Sequence, residues 1–461
     1  MSISRLLSSK FISLTAVAFL SLSLTACKKW IELKPSPVQI EDKIVFADDQ
    51  SATSAVMGLY SQMTQSSLIM TNGGLSVYTG LSSDEIYTSA SSSLTDPFLN
   101  NNLLATNSAV NVNFWRSAYI NLYHTNSIIE GLTSSQTLSS AVKNQLLGEM
   151  KFVRAFYFFY MVNLFGDVPL VITTNYKING IMPRTATTVV YEQIISDLLE
   201  AKELMGAGYP SANRLRPNKY SASALLARVY LFRQNWIQAE ALASDIINAG
   251  LYQLTADPNN TFLSGSQEII WQIAKENNNT AEGVAFIPAS ATVKPTYAIT
   301  SQLLNAFESN DTRKAKWLKA NTVSAQLYYY PFKYKSRTAT PLTENLVALR
   351  LAEQYLVRAE ARAYLNNLDS ARTDINRIRT RAGLPGVIAT TQAALLSAIN
   401  KERQTELFCE WGHRWIDLKR TGMADMILGA VKPGWQSYAA LYPVPANELE
   451  LNAFLVQNPG Y

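Results

Sequence analysis

Apolar side chains recur along most of this chain at the spacing of a helix face. The strongest case is Leu146, Met150, Val153, Tyr157, Tyr160 and Leu164, separated by 4, 3, 4, 3 and 4 positions. Phe152, Phe156, Phe158 and Phe159 make the second half of that stretch apolar nearly all round, which predicts a helix in the middle of the fold, ending at Gly166 and Pro169. Other helices are expected from about Asp48 to Gln65, with Asp48 or Asp49 as N-cap, and from about Asn113 to Leu132. Between them, residues 66–112 are rich in Ser, Asn, Thr and Gly without a sustained period and read as a long loop region.

Two later stretches read as helical hairpins. Tyr220, Ala224, Ala227 and Leu231 line one face, Gln234-Asn235 turns, and Trp236, Ala239, Ala243 and Ile246 return. Ala352, Leu356, Ala359 and Ala363 lead in the same way to Asn366-Asn367 and back through Ala371, Ile375, Ile378 and Ala382. Each carries Ala-Arg-Xaa-Tyr-Leu before its turn, and small residues at the crossing let helices approach closely, as in tetratricopeptide-type pairs. Glu268–Ile273 and Leu327–Phe332 read as short strands. The expected fold is mainly α, a tetratricopeptide-like helical-repeat body with a loop-rich, minor-β second lobe.

One apolar run stands apart. Phe11 to Leu24 follows Arg5 and Lys10, is too short for a comfortable membrane span, and ends in Leu24-Thr25-Ala26-Cys27. Small residues before a cysteine form a lipobox, so 1–26 is expected to be a lipoprotein signal peptide and Cys27 the lipidated first residue of the mature chain. The expected organisation is then a lipidated tether over 27–47, an N-terminal helical part over 48–250, a mixed loop and short-strand lobe over 251–345, and a C-terminal helical part over 346–461. Without Arg5 and Lys10 the formal charge falls from +5 to +3, too weak and interspersed for nucleic acid as the main partner. Cys409 is the one thiol left after Cys27 and cannot form an internal disulfide, so stability must come from packing. Among the aromatic residues, 23 are Tyr, which suits surfaces that are both apolar and hydrogen bonding and permits carbohydrate binding.

Five motifs in order resemble the SusD/RagB family of nutrient-binding outer-membrane lipoproteins of Bacteroidetes. They are Glu149-Met-Lys-Phe-Val-Arg-Ala-Phe-Tyr-Phe with Leu164-Phe-Gly-Asp-Val-Pro-Leu170; Arg350 to Ala361; Ile375 to Leu384; Glu402 to Arg420; and Tyr442-Pro-Val-Pro with Gln457-Asn-Pro-Gly-Tyr461. The resemblance implies capture of an oligosaccharide without chemistry and delivery to a SusC-like TonB-dependent outer-membrane transporter. It also implies an outer-membrane, lipid-anchored location facing the cell exterior. The chain departs from some lipoproteins of that phylum in having Lys28-Lys29, and no acidic run, after Cys27.

Candidate chemistry is sparse. Glu402, Glu406 and Glu410 lie at i, i+4 and i+8 on one helical face, with Asp417 beyond. Paired carboxylates could serve as acid and base in glycoside hydrolysis, which would make the chain a polysaccharide-degrading enzyme. The preferred reading is that they pair with Arg403, Arg414, Arg420 and the Arg377, Arg379, Arg381 series, because paired networks are how carboxylates tolerate burial. His124 and His413 lack metal-ligand partners at i+3 or i+4, and no phosphate loop or nucleophile elbow is present, so no cofactor and no metal are expected. Sugar sites stack an aromatic face on a ring while amides, carboxylates and Arg bind hydroxyls, and such groups sit on loops over a rigid scaffold. The segment 73–102 offers Tyr78, Asp84, Glu85, Tyr87, Phe98, Asn100, Asn101 and Asn102, and the middle of the chain offers Tyr297, Trp317, Tyr328, Tyr329 and Tyr330. Of these, Tyr78, Asp84, Glu85, Tyr87, Tyr297 and Trp317 are the expected ligand-binding residues. Trp115, Trp236, Trp271, Trp411 and Trp415 fall in helix or strand patterns and are expected in the core. A helical-repeat scaffold that binds only protein is the remaining alternative.

Overall fold

The computed structural model describes residues 45–275 and 278–461. The expected signal peptide, Cys27, Lys28-Lys29 and most of the tether lie outside the described residues. Helix takes up 55% of the structure and strand 8%, so the fold is mainly α, with small two-stranded sheets.

The longer helices are α1 (Asp49–Gln62), α2 (Ser117–Ser134), α3 (Ser140–Phe165), α4 (Thr187–Leu204), α5 (Lys219–Phe232), α6 (Trp236–Asn248), α7 (Leu351–Tyr364), α8 (Leu368–Arg381), α9 (Gln392–Glu406), α10 (His413–Arg420) and α11 (Ala424–Val431). Asp48 caps α1 as expected, accepting from the backbone N–H of Gln50 and Ser51 at 2.9 Å each. Helix α3 is the central element. From Phe152 to Val162 every side chain is buried, and the helix ends at Gly166, whose φ of 73° is the left-handed conformation that glycine adopts without a Cβ penalty. Two charged residues of this buried helix are matched by neighbours. Glu149 pairs with Arg216 at 2.6 Å and accepts from the Tyr60 hydroxyl, while Arg154 forks onto Asp197 at 2.7 and 2.8 Å.

From α3 the helices pack successively, α3 on α4, α4 on α5, α5 on α6, α6 on α7 and α7 on α8, which is the layered stacking of a helical-repeat body. Both expected hairpins form. Each turns through one residue in the left-handed region, Gln234 in one and Asn366 in the other. The backbone hydrogen bonds Asn235 N–H to Tyr230 O and Asn367 N–H to Arg362 O close them identically. Aligned on those turns, the two Ala-Arg-Xaa-Tyr-Leu motifs are offset by two residues, so the sequence repeat and the structural repeat are not in the same register. The hairpins join through Trp236 stacked on Tyr364, with ring centroids 4.0 Å apart and planes at 9°, and through Arg362 on Glu240 at 2.8 Å.

The strands pair as β1 (Ile86–Thr88) with β3 (Tyr297–Ile299), β2 (Ile269–Ile273) with β6 (Leu346–Arg350), and β4 (Leu318–Val323) with β5 (Gln326–Pro331), all antiparallel. Both expected strands are present as β2 and β5. The β4–β5 hairpin turns through Ser324 and Ala325, both at positive φ, the twist that suits a two-residue connection. Strands β2 and β6 are buried throughout, and Trp271 meets the ring edges of Phe152 and Phe156 at 4.8 and 5.2 Å. A continuous apolar core therefore runs from the helices into the 251–345 stretch.

Residues 66–112 differ from the expected long loop. Met70–Thr79 forms a wide helical segment kinked at Asn72 and Gly73, it continues through Gly80–Ser82, and every residue from Met70 to Ile86 is buried. Their polar side chains face partners inside the fold: Asn72 Nδ2 donates to the carbonyls of Thr64 and Ser66, and Thr71 Oγ1 donates to that of Met63. A Cβ at Gly74 would meet the Leu68 and Ile69 carbonyl oxygens at 2.4 and 2.6 Å, so the absence of a side chain there permits a backbone approach.

Candidate functional site

This buried segment emerges at Ser83 to Tyr87, on one wall of an open cleft of about 530 Å³. Pairing of β1 with β3 sets Tyr87 opposite Ala298 and carries Thr300 and Gln302 to the same place. The short helix Asp96–Leu99 delivers Asn100 and Asn102, and the end of α11 delivers Lys432, Pro433 and Gly434. The lining thus mixes apolar side chains, Ile86, Leu99, Val431 and Pro433, with amides, hydroxyls, one aromatic ring, one carboxylate and one amine.

Hydrogen bonds fix the wall. Arg414 on α10 holds Asp84 with two parallel bonds of 2.7 Å, Nε to Oδ1 and Nη2 to Oδ2, and Gln404 Nε2 donates to Oδ2 at 3.4 Å. Lys432 Nζ donates to the carbonyls of Leu81 and Ser82 at 2.6 and 2.8 Å, and burial pulls its ammonium down to about 7 despite Asp84 nearby. Thr300 Oγ1 donates to the Asp84 carbonyl and accepts from Leu303 N–H, capping the helix Ser301–Ala306.

Behind Asp84, Glu85 points inward and accepts from the Cys409 N–H at 3.2 Å. Burial, reinforced by Asp84, pushes its carboxyl from 4.5 to about 8. Glu85 therefore stays protonated in the folded chain where the unfolded chain has ionised. Its contribution to stability is complete below about pH 4.5 and is lost as pH rises through about 8. Glu85→Gln is expected to leave the melting temperature unchanged near pH 4.5 and to raise it near pH 9, where the native carboxylate is forced to ionise in the interior. Equal melting temperatures near pH 9 would reject this account.

Of the six expected ligand-binding residues, the structure brings Asp84 and Tyr87 together in the cleft. Asn100 and Asn102 line it as well, whereas Asn101 turns inward, donating to the Ser82 carbonyl. The other four are buried and do not line this cleft. Tyr78 lies beneath the wall at 1% exposure, its ring 4.7 Å from Phe98 and its hydroxyl accepting from Asn113 Nδ2. Glu85 is turned in as described. Tyr297 is buried opposite Thr88 on β3, against Phe286. Trp317 is fully buried, donating Nε1–H to the Pro258 carbonyl at 2.8 Å, with the Lys333 ammonium 4.7 Å from its ring centroid. Ser83, Thr300, Gln302 and Lys432 were not anticipated. Ser83 adjoins Asp84, whereas Thr300, Gln302 and Lys432 reach the cleft through strand pairing and helix packing over hundreds of residues, for which the chain has no local signal.

The glutamate series is engaged elsewhere, and it does not share one helical face as expected, because α9 ends at Glu406 and Glu410 lies in the turn that follows. Arg313 takes Glu402 at 2.6 Å and Glu406 at 2.9 Å while forking onto Asp311. Arg350 takes Glu268, Glu406 and Glu410 at 2.9, 2.6 and 2.8 Å. Arg381 bridges Glu268 and Glu406, and Lys333 pairs with Glu410. All three glutamates are buried, and the cavity beside Glu410 is only about 10 Å³. Much of the expected pairing is present, with Arg379 on Glu402 at 3.3 Å, Arg381 on Glu406, and Arg403 and Arg420 on Asp417, whereas Arg414 binds Asp84 and Arg377 is exposed. Arg313 and Arg350 are further partners that were not foreseen.

The turn after α9 links this network to the cleft. Cys409, Trp411 and Gly412 all have positive φ, and Ser76 Oγ accepts the Trp411 N–H while donating to Glu282. A Cβ at Gly412 would lie 2.8 Å from Thr79 Oγ1, so the turn sits directly on the segment that forms the cleft wall.

A stacked helical body with an irregular cleft built from loops and short elements places the chain in a class with known members. The family described as "SusD family" matches residues 271–461, and that described as "Starch-binding associating with outer membrane" matches residues 35–231. The SusD-like protein P25 of Formosa agariphila is 24% identical, over 98% of this chain and 100% of the relative. The starch-binding protein SusD of Bacteroides thetaiotaomicron is 24% identical over 72% of this chain and 74% of its own. Among solved structures, a SusD superfamily protein from Bacteroides vulgatus superposes with a TM-score of 0.82 at 22% identity, covering 90% of this chain and 100% of that one. A laminarin-binding SusD-like protein superposes at 0.77 and 24% identity, covering 89% and 99%. The chain belongs to the SusD/RagB family.

Proposed function

We propose that this chain is a glycan-binding lipoprotein without catalytic activity, anchored at the outer membrane through Cys27 and facing the exterior. It holds an oligosaccharide in the cleft around Asp84 and Tyr87 and delivers it to a SusC-like TonB-dependent transporter. The observation that carries the reading is the lining of that cleft: a half-buried tyrosine among Asn100, Asn102, Gln302 and Thr300, with Asp84 held rigid by Arg414. Such a set offers donors and acceptors to hydroxyls and one ring face to a sugar. Family membership and the titles of its laminarin-binding and starch-binding relatives support the ligand class. The buried, ion-paired state of Glu402, Glu406 and Glu410 supports binding over hydrolysis, because their carboxylates are engaged by arginines and the cavity beside Glu410 is only about 10 Å³.

Titration of the purified protein against a glycan array, with laminarin and starch oligosaccharides included, tests it. For the glycan bound best, Tyr87→Ala and the pair Asn100→Ala with Asn102→Ala are each expected to weaken affinity tenfold or more, a loss of about 1.4 kcal/mol or greater, with melting temperature unchanged. Full affinity in both variants would move the site elsewhere. Absence of any glycan ligand, with a purified transporter still bound, would favour the protein-only scaffold.

A further inference from the structure

A second surface, away from the cleft, carries chemistry that glycan binding does not use. The connection between α3 and α4 exposes Tyr176 at 75%, Ile178 at 51% and Ile181 at 59%, and the C-terminal stretch beside it exposes Leu451 at 80%, Phe454 at 59% and Val456 at 65%. The two segments are tied together, since Asn452 Nδ2 donates to the Met182 carbonyl at 2.8 Å and Arg184 Nη1 to the Val456 carbonyl at 3.0 Å. They rim a groove of about 380 Å³ whose floor is Trp115 and Tyr119. Six large apolar side chains exposed side by side form a patch that water does not favour, and such patches mark contact surfaces.

The place of the patch identifies what covers it. Glu130 on α2 pins the Tyr176 connection, accepting from the Thr173 hydroxyl at 3.1 Å and the Thr174 N–H at 2.9 Å. The next residue, Gly131, receives the ring of Phe46, and Ser135 Oγ donates to the Phe46 carbonyl at 2.8 Å. The described chain therefore begins at the end of α2 that holds the patch. Cys27 precedes Val45 by eighteen residues, which span at most about 60 Å. An acyl group on Cys27 keeps this end of the body within that distance of the bilayer.

We infer that the surface around Tyr176 and Leu451 is a lipid-facing patch that seats the body on the bilayer beside its anchor. Tyr, Phe, Leu and Ile are the residues of interfacial contacts, and Lys177 between Tyr176 and Ile178 can reach headgroup phosphates while the apolar side chains enter the acyl boundary. The inference rests on the proposed acylation of Cys27, but the two fail separately: acylation is read by labelling in cells, and the patch is read without any lipid on the protein.

The test uses the mature chain, residues 27–461, carrying Cys27→Ser, floated with phosphatidylcholine vesicles and with vesicles containing phosphatidylglycerol. The parent is expected to float with both, because apolar contact dominates. Combining Tyr176→Ser, Ile178→Ser, Leu451→Ser and Phe454→Ser is expected to reduce the bound fraction tenfold or more without lowering the melting temperature, as all four side chains are exposed. Equal flotation of parent and variant, or no flotation of either, overturns the inference. If neither floats and the variant instead loses a purified transporter that the parent holds, the surface belongs to a protein contact.

Discussion

Glu406→Ala is expected to destabilise the protein by about 3–5 kcal/mol, the cost of removing one partner from a buried ionic network. Glu406 Oε1 faces Arg350 and Arg381, its Oε2 faces Arg313, and all four side chains are at most 4% exposed. Burial alone would push this carboxyl up, but Arg381, Arg350 and Arg313 together hold it well below the usual carboxylate range. The stabilisation is thus present above the unfolded carboxyl's value of 4.5 and is lost as pH falls through the depressed folded value. Alanine removes the carboxylate that Arg313, Arg350 and Arg381 share and leaves the N–H groups aimed at it without that partner in the interior. Urea unfolding at neutral pH should show a lower midpoint with an unchanged slope, and the gap from the parent should narrow only in strong acid. Glycan affinity measured well below the midpoint should be retained, since the network lies behind the cleft wall. A variant with the parent's midpoint would mean that the network does not hold the fold together. Lost turnover of a glycan with intact stability would restore the hydrolytic reading of this cluster.

That network also marks the limit of what the chain discloses on its face. Spacing was sufficient for α3, α5, α6, α7 and α8, because each buries one continuous stripe and helical periodicity is local. It was sufficient to put Glu402 and Glu406 on one face, but not to see that the helix ends at Glu406 and leaves Glu410 in the turn beyond. It could not select Arg313 and Arg350 as their partners, because these arrive from the short helix Thr312–Trp317 before β4 and the end of β6, 93 and 56 positions from Glu406. Trp317 illustrates the same limit. Its neighbours Lys314, Lys316 and Lys319 make the sequence look exposed, yet the indole closes the core between Phe262 and Phe408.

Residues 66–112 misled for a related reason. Ser, Asn, Thr and Gly are read as loop formers because their side chains compete for backbone groups. In Met70–Ser82 they satisfy backbone groups inside the fold, so a polar composition coexists with complete burial. The cleft was half legible: Asp84, Tyr87, Asn100 and Asn102 lie close in sequence, whereas Thr300, Gln302 and Lys432 are supplied by the β1–β3 pairing and by α11. Since α9, its following turn and Arg414 brace the wall from behind, rigidity of the proposed site and stability of the C-terminal helices have a common source.

Cys27→Ala is expected to abolish metabolic labelling with an alkyne fatty acid and to remove the protein from the outer-membrane fraction. A single acyl chain supports an association constant of only about 10⁴ M⁻¹, so stable retention takes two or more chains or one chain with a second contact. A lipoprotein cysteine carries several chains, and without it the Tyr176 patch gives only reversible binding, held in an excess of vesicles but released when membranes are diluted and washed, which makes the expected change large. The consequence reaches the proposed function, because a tether of at most about 60 Å keeps the cleft at high effective concentration over a transporter in the same membrane. Cells growing on the cognate glycan at limiting concentration should therefore lose uptake with Cys27→Ala even though the released protein binds the glycan with the parent's affinity. Outer-membrane retention and labelling unchanged in the variant would refute anchoring at this residue. Loss of labelling with uptake intact would leave the anchor in place and remove it from the mechanism of delivery.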